Sequence, residues 1–416
     1  MSDVTTSWVG LSLGAFGAGA AVVGILALRR AFEPLIALLG AIGMAVAGWS
    51  LVAVGQAYGT PQIVTFAVLF AIATGAGGYA FASALLDYLA RPTPPVAALD
   101  PNDITGTESR PVVFLVAPVE TQDYEPRQTA RELHDLADEG VLRLGIGVTP
   151  FLFAASKARY RASGGKSPAW REFERVTEAV EQKLDASLRG RVLPSTCEGI
   201  QALDRTLADA VRSGARRVAV VPLAVSEPPE YESCKDRIDA LGLPALGVAV
   251  EYAAPLWSSD EVAESVARHI IAGAINPETT GVVLVLHGQP GPRSRKYPLF
   301  DEQESAFTSR IRMLVNEAGI PPANIRTAWA EWTQPDVTSA VRHLAALGCD
   351  RVLVSPSAFP LDCIATQLEI PLMVRQARVD SVPVVMLPTW RDDEKVVAAL
   401  ARAANASLGE GAGQPG

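Results

Sequence analysis

Residues 281–290 read Gly-Val-Val-Leu-Val-Leu-His-Gly-Gln-Pro, an apolar run that ends at the imidazole of His287. A short apolar run bounded by Gly and Pro is typical of a strand that is buried on both faces of a parallel sheet. His287 would then lie at the carboxyl end of the strand, at the edge where open α/β sheets bind ligands. Gly288 has no side chain and lets a ligand approach the backbone. His287 is therefore the first candidate functional residue.

Comparable apolar runs recur from residue 111 onward, and amphipathic segments of helical period separate them. This alternation is typical of an α/β fold in which helices cover both faces of a parallel sheet. The predicted strands are residues 112–117, 142–148, 217–222, 245–250, 281–286, 325–330, 351–356 and 383–387.

This region is also internally doubled. Residues 111–116 resemble residues 281–286, and residues 214–222 resemble residues 348–356. We therefore expect two Rossmann-like lobes with parallel sheets, at residues 111–275 and 276–405, that face each other across a cleft at the carboxyl ends of their strands. The first half is the longer one, and its extra residues are assigned to residues 151–167.

The N-terminal region, residues 1–91, is strongly apolar. Its only charged side chains are Asp3, Arg29, Arg30, Glu33, Asp87 and Arg91. A transmembrane helix needs about 20 predominantly apolar residues, so the charge-free runs predict three spans. We place these transmembrane α-helices at residues 8–28, 35–54 and 63–86, with a polar hairpin at residues 55–62 between the last two.

The basic residues of this region predict its orientation. Arg29 and Arg30 follow the first span, Arg91 follows the third, and no basic residue precedes the first. The positive-inside tendency therefore places the N-terminus outside and the chain after residue 91 in the cytoplasm, as in a multi-pass protein of the inner membrane. A cleaved signal peptide is the alternative for the first span, but it lacks the basic segment of such peptides. The Gly-rich spans would pack on one another or dock on a membrane-protein partner.

The remaining chain is predicted to comprise a Pro-rich linker at residues 92–110, the two lobes, and a disordered tail at residues 406–416. The charges of the first 91 residues cancel, so the net charge of −9 belongs to this part, which argues against nucleic acid as a partner. The cysteines are scattered, without a Cys-x-x-Cys pair, which fits reduced thiols and indicates neither a zinc motif nor an Fe–S cluster. They are Cys197, Cys234, Cys349 and Cys363.

Several short motifs resemble those of the ferrochelatases, which are class II metal chelatases. The family's strand–His–Gly–x–Pro element matches residues 286–290, and its Trp-x-x-Pro element matches residues 332–335. A strand followed by Phe-x-x-Asp-x-x-Glu-Thr-x-x-Glu-Ile matches residues 348–370. In the first half, a Gly-Gly-Ser-Pro turn resembles residues 164–168, and a strand ending in Pro-Leu resembles residues 217–223. Residues 328–331 also resemble the smaller sirohydrochlorin chelatases, which share this fold.

The resemblance covers roughly residues 111–405 and implies a chelatase-like fold and a lyase of haem or related tetrapyrrole metabolism. Such an enzyme inserts a divalent metal, here ferrous iron, into a porphyrin, so the metal is a substrate and no resident cofactor is firmly implied. His287 would be the base that takes pyrrole protons or a ligand of the metal, since imidazole serves both roles near neutral pH. A bilayer anchor suits an apolar, poorly soluble ring.

The chain departs from the family at its second site group, because the family's Glu aligns with Ala365. An alanine can neither bind metal nor move a proton. Either another carboxylate substitutes, for which Glu331 is preferred because it follows a neighbouring strand, or metal insertion is lost. In the second case the chain would be a non-catalytic protein that binds or delivers a tetrapyrrole, or a subunit of a membrane complex.

Further candidates for substrate binding follow the predicted strands. Those after the histidine loop are suited to porphyrin carboxylates, with a solvated loop as the alternative, and Asp362 has the alternative of capping the following helix. The candidates are Arg293, Arg295, Lys296, Tyr297, Phe359 and Asp362.

Overall fold

The computed structural model describes residues 2–89, 96–107, 110–185, 190–197 and 202–410. The chain divides into two compact units. The first unit contains residues 1–92 and 123–166, and the second contains residues 93–122 and 167–416. The Pro-rich start of the predicted linker, at residues 92–95, and the tail residues 411–416 lie outside the described residues. Residues 406–410, which the sequence assigns to the tail, are helical.

Three long apolar helices begin the first unit: α1 (Ser2–Ala27), α2 (Glu33–Tyr58) and α3 (Pro61–Leu89). Each is long and apolar enough to cross a membrane, as the sequence predicts. The predicted polar hairpin at residues 55–62 is wrong in extent, because α2 continues to Tyr58. The break is confined to Gly59 and Thr60, where Gly59 (φ +63°) provides a left-handed cap that a side chain would disfavour.

Small residues allow these helices to approach one another at the backbone. A Cβ atom added at Gly14 would lie 2.5 Å from the carbonyl oxygen of Gly43 in α2. At Gly78 in α3, an added Cβ would lie 2.0 Å from the carbonyl oxygen of Phe16 in α1. In lipid, where apolar burial does not drive helices together, such close packing is a main source of their association.

Replacement of Gly78 by leucine is expected to destabilise the packing of the three apolar helices by about 1–3 kcal/mol or more, because the backbone of α1 cannot yield as a side chain can. The matched control is Gly77→Leu, since nothing lies within 4 Å of a Cβ added at Gly77. Thermal unfolding of the full chain in detergent measures both variants. Equal melting temperatures would show that the close approach at Gly78 does not stabilise the packing of these helices.

Residues 123–166 pack against these helices through α4 (Pro126–Asp138) and α5 (Thr149–Ala162). The hydroxyl of Tyr124 donates to the carbonyl oxygen of Ala27 at 2.8 Å. The ammonium of Lys157 lies 2.6 Å from the carboxylate of Glu33. The insertion that the sequence places in the first half is thus part of the unit that holds the apolar helices.

The predicted strand at residues 142–148 is wrong: these residues form coil and a turn before α5. The strand after residue 111 is paired on both sides by other strands, and this segment does not join it. Its apolar residues Ile146 and Val148 are about half exposed instead, and the carbonyl oxygen of Gly147 accepts from the hydroxyl of Tyr79 at 3.2 Å.

The second unit contains two parallel sheets of four strands each, with corresponding strand orders. The first is β2-β1-β3-β4, and the second is β6-β5-β7-β8. This confirms the predicted α/β class with two Rossmann-like lobes, and the shared order is the structural counterpart of the sequence doubling. The strands are β1 (Val112–Val116), β2 (Arg191–Ser195), β3 (Arg217–Pro222), β4 (Ala249–Tyr252), β5 (Thr280–Leu286), β6 (Ile325–Trp329), β7 (Arg351–Ser355) and β8 (Val384–Met386).

Helices cover the sheets, and one apolar core extends through both lobes, from Leu115 of β1 to Leu284 of β5 and Phe307. The helices of this unit are α6 (Ala169–Lys183), α7 (Leu203–Arg212), α8 (Glu230–Asp239), α9 (Asp260–Gly273), α10 (Gly291–Lys296), α11 (Pro298–Glu317), α12 (Val337–Ala346), α13 (Ile370–Gln376) and α14 (Glu394–Glu410). A π-helical turn, Ala365–Glu369, precedes α13.

Two strands differ from the sequence prediction. The sequence gives no sign of β2, which contains Pro194 and pairs only with β1 as an edge strand, where proline is tolerated. The predicted strand at residues 245–250 begins only at Ala249. Before it, a 3₁₀ turn runs over Leu243–Leu246, and left-handed glycines on both sides of that turn hold the chain out of the sheet.

Candidate functional site

A cavity of about 210 Å³ lies in the second unit, where loops that follow strands of both lobes meet. Its walls are mostly apolar, and imidazole, carboxylate and thiol groups interrupt them. The lining residues come from the loops after β1, β5, β6 and β7 and from the first residue of α6. This is the position at which parallel α/β folds form ligand sites.

His287 follows β5 directly and lines this cavity, with 37% of its side chain exposed. Its Nδ1 lies 2.9 Å from Oε1 of Glu304 on α11. An ionised carboxylate can only accept, so Nδ1 carries the hydrogen and Nε2 is the ring nitrogen available to take a proton or bind a metal. The ring of Phe359 lies 4.1 Å from the imidazole, centroid to centroid, and fixes its other side.

Glu304 is a site residue that the sequence analysis missed. Only 1% of its side chain is exposed, and its Oε2 has no hydrogen-bonding partner within the described part of the chain. Burying a carboxylate is costly unless it has a partner, and His287 is the partner of this one. The burial of Glu304 therefore points to a functional role for the pair. The sequence carried a signal: residues 304, 307, 308, 311 and 315 form the buried face of α11, and a Glu on such a face is unusual.

Gly288 lies where the loop after β5 contacts the loop after β6. It has φ +85°, and a Cβ atom there would lie 2.1 Å from the carbonyl oxygen of Glu331. The N–H of Glu331 donates to the carbonyl oxygen of His287 at 3.0 Å. The two loops are thus in direct backbone contact, which only glycine at residue 288 permits.

Glu331, the carboxylate preferred from the sequence, also lines the cavity. It follows β6 and is exposed. Its Oε2 accepts a hydrogen bond from Nε1 of Trp332 at 3.0 Å. The structure therefore brings together three residues singled out from the sequence: His287, Glu331 and Phe359.

A second carboxylate, Glu120, reaches the same cavity from the first lobe, and the sequence analysis did not identify it. It lies in the loop after β1, the strand that corresponds to β5. Its Oε1 accepts from Oγ of Ser167 at 2.5 Å and from the backbone N–H of Ile364 at 2.6 Å. Ala365 also lines this cavity.

The basic candidates after the histidine loop are not among the residues that line this cavity, within the described chain. Nη1 of Arg293 contacts Oε1 of Glu230 at 3.1 Å, and Nζ of Lys296 lies 4.9 Å from the ring centroid of Tyr297. Arg295 is exposed on α10.

Asp362 lines a different cavity, of about 330 Å³. Its Oδ1 accepts from the hydroxyl of Thr389 at 2.8 Å, and its Oδ2 pairs with the guanidinium of Arg391. At the start of the following helical turn, the hydroxyl of Thr366 accepts a hydrogen bond from the N–H of Cys363 at 2.9 Å.

Comparison with known proteins identifies ferrochelatases among the relatives of this chain. A family model for ferrochelatase matches residues 136–408. The ferrochelatase of Nitrobacter hamburgensis is 26% identical over 215 residues, which are 47% of this chain and 60% of that protein. The ferrochelatase of Rhodopseudomonas palustris strain TIE-1 is 26% identical over 219 residues, with the same shares. The chain thus spans about 60% of the length of these relatives.

A crystal structure of the sirohydrochlorin chelatase from Bacillus subtilis subspecies spizizenii in complex with cobalt is similar with a TM-score of 0.47 and 13% identity. The match covers 73% of this chain and 98% of that one. The matched family model covers well over half of the residues, from α4 to α14, and includes every strand except β1. The chain therefore belongs to the ferrochelatase family.

Proposed function

We propose that this protein is a membrane-anchored chelatase that inserts a divalent metal, ferrous iron, into a porphyrin at the cavity beside His287. The observation that carries the proposal is the contact between Nδ1 of His287 and the buried carboxylate of Glu304. A carboxylate that holds the far nitrogen of an imidazole is the arrangement by which proteins orient a histidine base or metal ligand. The family membership supplies the substrate class.

Metal insertion exchanges two pyrrole N–H protons for one dication, so no electrons are transferred and the protein must receive protons. Nε2 of His287 is suited to accept a pyrrole proton. The resulting imidazolium would be stabilised by Glu304, whose buried carboxylate lies 2.9 Å away. In its neutral form, the same nitrogen can bind ferrous iron as the ion arrives.

The cavity walls suit a flat apolar ring. Phe359, Leu361 and Val119 line it together with the imidazole. Its volume of about 210 Å³ is below the roughly 300–1,000 Å³ usual for small-molecule pockets. We therefore expect one part of the macrocycle to enter while the remainder stays outside.

The apolar helices support a place at the membrane, where a porphyrin partitions. Arg29, Arg30 and Arg91 favour an inner-membrane protein whose second unit faces the cytoplasm. Replacing a loop residue with cysteine and labelling it from either side would test this topology, and labelling of residue 100 from outside would contradict it.

Ala365 favours a second candidate function, a non-catalytic protein that binds or delivers a tetrapyrrole or forms part of a membrane complex. Ala365 lines the cavity and cannot supply the carboxylate that the family has there. On this alternative, the cavity keeps its shape and His287 binds the ring or its metal without turnover.

Metallation by the full chain in lipid nanodiscs distinguishes the two. We expect the absorption bands of a free porphyrin to convert to those of the metallated ring when ferrous iron is added without oxygen. Loss of porphyrin fluorescence measures the same reaction. Porphyrin binding without metallation would support the carrier. The absence of both binding and metallation would contradict both functions.

A further inference from the structure

Glu120 has a position in the fold that its place in the sequence does not suggest. It belongs to the first lobe, in the loop after β1, but its Oε1 accepts the backbone N–H of Ile364 in the second lobe at 2.6 Å. The hydroxyl of Ser167, two residues before α6, donates to the same oxygen at 2.5 Å. These two bonds fix the carboxylate where the lobes meet, at the wall of the cavity.

The residue after Ile364 is Ala365. The carboxylate of Glu120 is therefore bonded to the backbone immediately before the residue that aligns with the family's site Glu. The sequence resemblance leads us to expect a carboxylate at residue 365, and Glu120 brings one to the same cavity from a different loop. Glu120 and His287 line that cavity from opposite lobes.

We propose that Glu120 replaces the missing carboxylate and is the second proton acceptor of the site, opposite His287. This inference rests on the function proposed above. Insertion releases two protons for each metal ion, and an imidazole that has accepted one cannot accept another. Nε2 of His287 takes one pyrrole proton and the carboxylate of Glu120 takes the second, after which the ring carries two negative charges that the dication neutralises. Solvent then removes both protons, which restores the site.

Glu331 is the competing carboxylate, since it lines the cavity too. Its side chain is exposed and is bonded to Trp332, the neighbouring residue, at 3.0 Å. Glu120 is half-buried and is held by one hydroxyl and one backbone donor from two separate segments. A proton acceptor that two separate segments hold in position is better preorganised than one on an exposed side chain, which favours Glu120.

The charge of Glu120 is also felt by a neighbour that offers an independent readout. Cys363 lines the cavity, and burial together with the negative charge of Glu120 raises the pKa of its thiol to about 11. Loss of that charge would lower the pKa of the thiol toward its usual value, so the thiolate fraction at a fixed pH would rise.

The test is Glu120→Gln in the full chain. Glutamine keeps an oxygen that accepts from Ser167 and Ile364, but it cannot take a proton. We expect the rate constant of metallation to fall about tenfold and porphyrin affinity, measured by fluorescence, to change little. Glu232→Gln is the charge-matched control, because Glu232 is exposed on α8 and does not line the cavity. The double variant Glu120→Gln/Ala365→Glu should recover much of the lost rate.

The outcomes separate this inference from the proposed function. An inactive wild-type protein contradicts the proposed function, and faster alkylation of Cys363 in Glu120→Gln would still verify where the charge lies. An active wild type with an unchanged Glu120→Gln variant overturns the inference. A larger fall in the rate constant of metallation in Glu331→Gln than in Glu120→Gln also overturns it, because the second proton acceptor would then be Glu331. A rate that falls in Glu120→Gln and is not recovered by Ala365→Glu would overturn the claim that Glu120 stands in for a carboxylate at residue 365.

Discussion

Replacement of His287 by alanine is expected to lower the rate constant of metallation by about 10²–10⁴-fold, the range usual for loss of a general base. The variant removes the only imidazole among the described residues that line the cavity. It also leaves the buried carboxylate of Glu304 without its partner. Stopped-flow absorption with a porphyrin and ferrous iron under anaerobic conditions gives the rate.

His343→Ala is the matched control, because His343 is exposed on α12 and its Nε2 contacts the guanidinium of Arg326 at 2.7 Å. It should metallate as the wild type does. If His287→Ala kept the wild-type rate, a base outside this cavity would have to be sought. Porphyrin binding by His287→Ala should persist, since the apolar wall that includes Phe359 and Leu361 is unchanged.

The second large effect is expected for Glu304→Gln, with a fall in kcat of about 10–100-fold and little change in KM for the porphyrin. Glutamine has nearly the same volume and still accepts from Nδ1 of His287, but it brings no charge to stabilise the imidazolium. Glu304 acts through His287 and is therefore a positioning residue. A steady-state series over porphyrin concentration separates kcat from KM.

Glu302→Gln serves as the control on the same helix, since Glu302 is exposed two residues earlier. A purely structural role for Glu304 would appear as a lower melting temperature with kcat preserved. A rise in KM with kcat preserved would instead place Glu304 in porphyrin binding. Either outcome would remove the support that the contact at 2.9 Å gives to the proposed function.

The strands of the two lobes could be predicted from the sequence because their signal is local. β5 and β7 are buried apolar runs next to turn residues, and their positions follow from composition alone. β2 could not be found in this way. Its Arg191 is exposed and its Pro194 lacks an N–H, so only pairing with β1, far away in the sequence, makes it a strand.

The residues of the site likewise divide into one that a local sequence signal identifies and others that depend on long-range packing. The sequence places His287 at the end of an apolar run, and the structure has it directly after β5. The other residues are brought to the site by tertiary packing: Glu304 by α11, which begins eleven residues later, and Glu120 by the loop after β1. The sequence similarity of the lobes covers residues 111–116 and 281–286 and does not include the loop that contains Glu120.

The insertion shows why apolar alternation alone can mislead. Leu142, Leu144, Ile146 and Val148 alternate with other residues as in a half-buried strand. Alternation identifies a candidate for pairing, but a strand also needs a neighbour with unpaired backbone groups. Within the described residues, this segment belongs to the unit of the apolar helices, where its backbone contacts Tyr79 instead.

The left-handed glycine after the imidazole leaves no space for even one methyl group beneath the carbonyl of Glu331. A sequence change at residue 288 would therefore resemble loss of the base itself, although glycine has no group that reacts. A mutational survey would score Gly288 as catalytic. Its φ of +85° shows instead that the position requires a residue without a Cβ atom.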